Sequence, residues 1–384
     1  RNEIGQFSPS RHKGQVMRVI AGEIVAIRLF GLANEIDLQR AETLWAERTD
    51  RTSTRIRLDS TPSDAVSFVI PPLSVDLGSV TVSIAGAERV LSGSARLYDF
   101  GVVAVSLRLP VHILEWAEYT ALVDAADAAI GPTCAADIWQ QQCARLSELV
   151  GDAFEVPVQT PLQEDYLLAT VETFDAPVTA EALMMQVDIV PLLSGHSPPL
   201  SEVTRQELLR HRFSYYADDL AVITWDRAFL YEPRGETDVA DVLELANAQL
   251  LEMRAYDQLL NDEMPRMRAL SDTRRPRFSA LSGRRYARLA RRLRALVAEI
   301  TELTERVDNA LQVTEDVYLA RVYAAAIDLM RVPKFGDAVD RKLAIIRETY
   351  TALQSEAESS RAELLEIAVI GLIATEILLS FIRH

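Results

Sequence analysis

The hydrophobic repeat changes period at Pro233-Arg234-Gly235, and this change constrains the fold more than any other feature of the sequence. C-terminal to it, apolar residues recur at alternating steps of four and three, the spacing of a helix that packs along one stripe. Val239, Leu243, Ala246, Leu250, Met253, Leu260 and Met264 form one seam, broken at Asp257. Tyr286, Leu289, Leu293, Leu296, Ile300, Leu303, Val307 and Ala310 form a second without a break. Leu343, Ile346, Tyr350, Leu353 and Ala357 form a third, leading to Leu364 and Ile367. Three seams in one chain predict antiparallel coiled-coil packing. At 1.5 Å per residue the arms would be about 45–70 Å long, so residues 236–363 are expected to form a protruding stalk. Thr237 or Asp238 can cap its first helix.

N-terminal to the break the patterning is that of strands with a few helices. Residues 16–29 are rich in β-branched side chains, and strand-like runs follow at 65–70, 80–84, 90–98 and 102–109. Val80, Val82 and Ile84 alternate with Thr81 and Ser83, the period of a half-buried strand. Asp99-Phe100-Gly101 reads as a turn between two of these runs. Helices are predicted over 113–130, 135–149 and 179–185, and a strand over 166–171. Residues 213–231 read as a hairpin, in which Leu220, Val222 and Thr224 alternate with Ala221, Ile223 and Trp225. Strict strand–helix alternation is missing. Residues 16–232 are therefore expected to form an α+β head with a mainly antiparallel sheet, preceded by a polar tail over 1–15.

Composition excludes several classes. With 40 basic and 56 acidic residues the net charge is −16, which rules out a nucleic-acid coat over the whole surface. A charged fraction of 25% beside 49% hydrophobic residues rules out global disorder. Cys134 and Cys143 are too few for a disulfide framework. His12, His112, His196, His211 and His384 are scattered, so neither a metal site nor a cofactor is expected. Dinucleotide, P-loop, zincin and nucleophile-elbow motifs are missing from the sequence.

Two segments stand out. Residues 364–382 contain twelve Leu, Ile, Val or Phe among nineteen, with no Lys, Arg or Pro. Their apolar side chains favour insertion by roughly 4–7 kcal/mol, opposed by Glu366 and Glu376 at up to about 3 kcal/mol each. The segment is expected to be a transmembrane anchor in an oligomer, with Glu376 as a membrane-embedded acid. The second segment, 266–294, holds eleven arginines against Asp272 alone. Arg284, Arg288, Arg291 and Arg292 share a helical face off the apolar seam. They are the candidate anion-binding residues, for RNA phosphates, ribosomal RNA or lipid headgroups. A solvated face paired with acids such as Glu252, Asp257, Asp262 and Glu263 is the other reading. Asp218, Asp219 and Asp226 are candidates for a Mg²⁺-holding carboxylate cluster, against hairpin-turn aspartates.

The runs YADDLAVITWDRAFLYEP (216–233), VLELANAQLLEMRAYDQLLNDE (242–263) and LTERVDNALQVTEDVYLARVYAAA (303–326), with the apolar tail, resemble bacterial membrane-associated proteins. These in turn resemble the "required for meiotic nuclear division" family, whose eukaryotic members are mitochondrial or membrane-associated. The resemblance covers about residues 95–384 and carries no catalytic residue. It implies an α+β head, a helical stalk, a C-terminal anchor, homo-oligomers and, for mitochondrial members, a role in supporting organellar translation. The resulting expectation is a non-enzymatic, membrane-anchored oligomeric scaffold in a bacterial inner membrane. Its head would face the cytoplasm and its arginines would hold an anionic partner. The alternatives are a Mg-dependent phosphoryl-transfer or hydrolytic enzyme using Asp218, Asp219 and Asp226, and an oligomeric ion pathway lined by Glu376.

Overall fold

The structure, a computed structural model, describes residues 17–49, 53–55, 71–134, 137–158, 162–195, 200–271, 291, 294–295, 297–298, 301 and 317–382. The chain divides into two compact units. The first comprises residues 1–248 with 313–330, the second residues 249–312 with 331–384.

The first unit is built on a nine-stranded sheet. Its strands are β1 (Arg18–Gly31), β3 (Ser53–Arg55), β4 (Leu73–Ile84), β5 (Ala87–Leu97), β6 (Val102–Glu115), β8 (Gln163–Phe174), β9 (Arg212–Phe213), β10 (Leu220–Ile223) and β11 (Arg227–Tyr231). Their order across the sheet is β3-β4-β5-β6-β1-β8-β11-β10-β9. Every pairing is antiparallel except β8 with β11. The parallel pair arises because the chain leaves β8 and passes through α4 (Ala180–Gln186), α5 (Val190–Ser194) and α6 (Glu202–Leu208). It then builds β9 to β11 back onto the sheet. A small second sheet pairs β2 (Ala33–Ile36) with β7 (Phe154–Pro157). The fold is thus mixed α+β with a large antiparallel sheet, as the patterning predicts. The predicted run at 65–70 lies outside the described residues. The predicted turn at Asp99-Phe100-Gly101 is present, with Gly101 at φ 86°. A Cβ there would lie 1.9 Å from the Ala33 carbonyl oxygen, so only glycine fits.

The central strands are buried on both faces, which fits their nearly continuous apolar sequence. One face, with Ile24, Ala26 and Phe30 of β1, packs on α1 (Leu38–Arg48), α2 (Trp116–Ile130) and α3 (Ile138–Val150). Trp45, Tyr119, Trp139 and Leu146 are the large buried side chains of that helical layer. The opposite face carries Val25, Ile27, Leu29, Ala104 and Leu168, all buried. Here Arg96 of β5 and nearby Tyr98 bond to Asp241 and Glu244 in the first turns of α7 (Asp238–Ser271). Val242, Leu243, Leu245 and Ala246 are buried beside those acids. Helix α8 (Val317–Leu329) also belongs to this unit and buries Leu319, Val322 and Ala326.

The second unit is helical. It contains the remainder of α7 and the 51-residue α9 (Val332–Ile382). Leu250, Met253 and Leu260 are buried in α7, as are Leu343 and Ile346 in α9, all at predicted seam positions. The predicted break in the first seam has a partner: Lys342 of α9 pairs with the Asp257 carboxylate and donates to the Asp257 carbonyl at 3.3 Å.

The membrane expectation is corrected. Among the described residues no helix is long and apolar enough to cross a membrane. Residues 364–382 are the end of α9, with Glu366 and Glu376 exposed upon it. The acid-free run between them, 367–375, spans about 14 Å at 1.5 Å per residue, half of a hydrocarbon core of about 30 Å. The inner-membrane location and the embedded role of Glu376 rested on that anchor and are corrected with it.

Candidate functional site

Of the arginines singled out in the sequence, Arg284, Arg288 and Arg292 lie outside the described residues. Arg291 is helical and exposed, as is Arg294. The three aspartates do not come together. Asp218 and Asp219 stand just before β10, and Asp226 lies at the far end of the β10–β11 hairpin, about 13 Å away along four residues of strand. Each does local work. Asp218 pairs with Arg234 at 2.7 Å. The buried Asp219 accepts from the backbone N–H groups of Tyr215 at 2.8 Å and Tyr216 at 3.0 Å, closing the 214–219 loop. Asp226 accepts from the Thr224 hydroxyl at 3.2 Å in the hairpin turn. Among the described residues no group of three or more His, Cys, Asp or Glu is placed to hold a metal ion.

Three other clusters form from residues distant in sequence. The first lies at the end of the sheet under α2. Arg28 of β1 pairs with Asp165 of β8, donates to the Gly131 carbonyl at 3.0 Å and stacks on the Trp139 ring with its centroid at 4.9 Å. Arg227 of β11 pairs with Asp127 at 2.6 Å and approaches Asp226 at 3.9 Å. Its guanidinium lies against Gly195, where a Cβ would come within 2.2 Å of Nη2. Arg227 Nη1 is buried with no hydrogen-bond partner. Burial pushes the Asp165, Asp226 and Asp124 carboxyls upward, and the arginines oppose this. The second cluster clasps α7 to the sheet. Arg96 bonds Asp241 at 2.8 Å and Glu244 at 3.2 Å, and the Tyr98 hydroxyl donates to Glu244 at 2.8 Å. Burial raises the Glu244 carboxyl and the Tyr98 hydroxyl together.

The third cluster is at the surface, at the end of the hairpin remote from Asp226. Tyr215 packs edge-on to Tyr216 at 4.7 Å and to Tyr318 of α8 at 5.3 Å. The Arg234 guanidinium lies 3.8 Å over the Tyr216 ring while holding Asp218. Glu232 accepts from the Arg234 backbone N–H at 3.3 Å. Its carboxyl is pushed up to about 7, chiefly by burial, with Asp219 and Glu236 acting in the same direction.

The first two clusters are buried, paired and lodged between elements, the usual mark of charges that fix a fold. The Cys143 thiol is pushed up to about 11 by burial, which makes it a poor nucleophile. The third cluster differs in leaving aromatic rings in water beside an exposed acid, Glu236.

The described residues form an α+β unit and a helical unit. Residues 21–238, more than half of the chain, match the family described as "Uncharacterized protein MJ0711, N-terminal domain", and the chain belongs to that family. The match runs from β1 to the start of α7 and so includes the sheet-end cluster. Uncharacterized protein MJ0711 of Methanocaldococcus jannaschii is 22% identical over 196 residues, 51% of this chain and 59% of that protein. The chain therefore spans less than two thirds of the relative's length. No solved structure matches. These comparisons do not bear on the resemblance to the meiotic nuclear division family.

Proposed function

We propose that the chain is an oligomeric scaffold that assembles through its C-terminal helix and acts by binding partners rather than by catalysis. The supporting observation is the end of α9. Val369, Ile370, Leu372, Ile373 and Leu379 are each 51–70% exposed. At about 100° per residue these five positions spread over an arc of about 180°. A two-stranded coiled-coil seam is narrower than that, so the arc calls for two neighbours and an assembly of three or more copies. Leu343 and Ile346, earlier in the same helix, are buried, so α9 already packs by an apolar stripe before this segment begins. The exposed Arg291 and Arg294 belong to the +10 stretch and support an anionic partner. RNA phosphates accord with the role in organellar translation that the resemblance implies for mitochondrial members.

The test is the mass in solution. Light scattering of the full chain should give at least three times 42.8 kDa. Changing Ile370, Leu372 and Ile373 to Asn should return the mass to that of one chain without altering the melting of the head, because these side chains touch water already. A monomeric unmutated chain up to its solubility limit would refute the reading.

A further inference from the structure

We propose that the Tyr215–Tyr216–Tyr318 ridge with its acidic border is a docking site for an extended, basic, proline-containing peptide. The ridge is built, not incidental. Asp219 spends both carboxylate oxygens on holding the backbone of Tyr215 and Tyr216. The Ala217 carbonyl accepts from Ala180 N–H at 2.9 Å and ties the same loop to the start of α4. Tyr318 packs against Tyr215 from α8. A loop fixed at three points presents its rings with little entropy left to lose on binding. Even so, Tyr215 is 58% and Tyr216 43% exposed. Large aromatic side chains held rigid and wet are what binding surfaces use as anchors.

The charge around the ridge selects the occupant. Asp218, Glu232 and Glu236 are at least partly accessible, and Arg234 is engaged with Asp218 and the Tyr216 ring. Phosphate-bearing partners are repelled here, whereas arginine and lysine side chains are attracted. Aromatic ridges pack against pyrrolidine rings, and a proline-containing segment is already extended before it binds. Together these features describe a basic, proline-containing ligand. The chain's own sequence holds such a run, Arg274-Arg275-Pro276-Arg277-Phe278, the proline-containing part of the arginine-rich stretch. The occupant is a partner protein carrying this chemistry, and the run supplies a probe of the right composition.

The probe is a fluorescent peptide of residues 271–279, titrated by anisotropy against two receptors. One is the full chain. The other is the full chain with Arg274, Arg275 and Arg277 changed to Ser, so that its own segment cannot compete. Saturable binding to the second receptor that weakens as salt is raised is expected. Tyr215→Ala in the same receptor should weaken binding by about tenfold, the loss of one aromatic anchor. Glu236→Lys should weaken it in a salt-dependent way, and a Pro276→Ala peptide should bind more weakly than the original. No binding to either receptor overturns the proposal. So does equal binding of the alanine-for-proline peptide, or a Tyr215→Ala receptor that binds as before. Direct binding of a labelled RNA oligonucleotide to the second receptor that is lost in its Tyr215→Ala variant would also overturn it, since the site would then read phosphate.

Discussion

Glu232 offers the sharpest test of how the head handles buried charge. It follows β11, its backbone N–H bonds the Val171 carbonyl at 2.9 Å, and its side chain is only 22% exposed. Burial carries its carboxyl from 4.5 to about 7. A displacement of that size corresponds to about 3 kcal/mol, which the remaining contact with water and the exposed Arg234 reduce to about 1–2 kcal/mol. The sign follows from which state holds the proton. With the folded value raised, the folded chain keeps a proton that the unfolded chain has lost, so stability is fully present below about pH 4.5. It declines as pH rises to about 7 and then levels off. Glu232→Gln keeps an acceptor for the Arg234 N–H and carries no charge. The variant should therefore be about 1–2 kcal/mol more stable than the parent at about pH 8, and the gap should close toward about pH 4. Urea unfolding followed by tryptophan fluorescence across this range measures it. Asp124, Asp165, Asp226 and Glu244 are also displaced upward, so the difference between variant and parent, not the parent's own slope, is the quantity to read. A gap of zero at about pH 8, or one that widens toward acid, would refute the reasoning.

Arg96→Ala leaves Asp241 and Glu244 without their cation in a buried setting, and should lower urea stability by about 3–5 kcal/mol. Replacing Arg96, Asp241 and Glu244 together by apolar residues of similar volume should lower it far less. On α9, Glu366 and Glu376 fall within the exposed apolar arc, so any copy that covers the arc buries them. Sedimentation at one pH should then show Glu376→Gln assembling more tightly than the parent, because the variant has no charge to bury there. Changing Arg284, Arg288, Arg291 and Arg292 to Glu should abolish salt-sensitive RNA binding while leaving the melting curve within about 1 kcal/mol, measured on the same preparation.

Local patterning made much of the head legible. The turn at Gly101, the alternation in β4 and the β10–β11 hairpin all depend on neighbours in sequence. Helix α1 carries the same kind of signal. Asp37 caps it by accepting from the Gln39 and Arg40 N–H groups, and Leu38, Ala41 and Trp45 are buried at helical spacing. In the sequence that signal is outweighed by the long apolar run of β1. The parallel β8–β11 pairing could not be read, because it depends on how 52 residues fold between Phe174 and Arg227. The ion pairs lay beyond reach for the same reason: Arg28 and Asp165 are 137 residues apart, and Arg227 and Asp127 are 100 apart. Asp218, Asp219 and Asp226 fail in the opposite sense. They are close in sequence and suggested a cluster, yet a hairpin sends its two ends apart. The Asp257 break looked like a flaw in a seam and is instead where Lys342 docks.

The placement of charge is the strongest reason to look for function at surfaces. Arg28 and Arg227 are buried and Arg96 is half-buried, each with carboxylates supplied by other elements, and each pair bridges two pieces of the fold. Breaking one partner of such a pair is costly, but the intact pair offers little to a substrate, since its hydrogen bonds are already spent. Arg227 Nη1 is the exception, one donor lacking an acceptor in a pocket of acids, and an ordered water suffices to satisfy it. Among the described residues, groups with capacity to bind include the tyrosines held by Asp219, the acids around Arg234 and the apolar end of α9. Rings that remain in water on a fixed loop gain by being covered, and the acids beside them gain only from a cation that pairs with them. A partner that brings arginine and proline to the ridge is the cover that its charge and shape select.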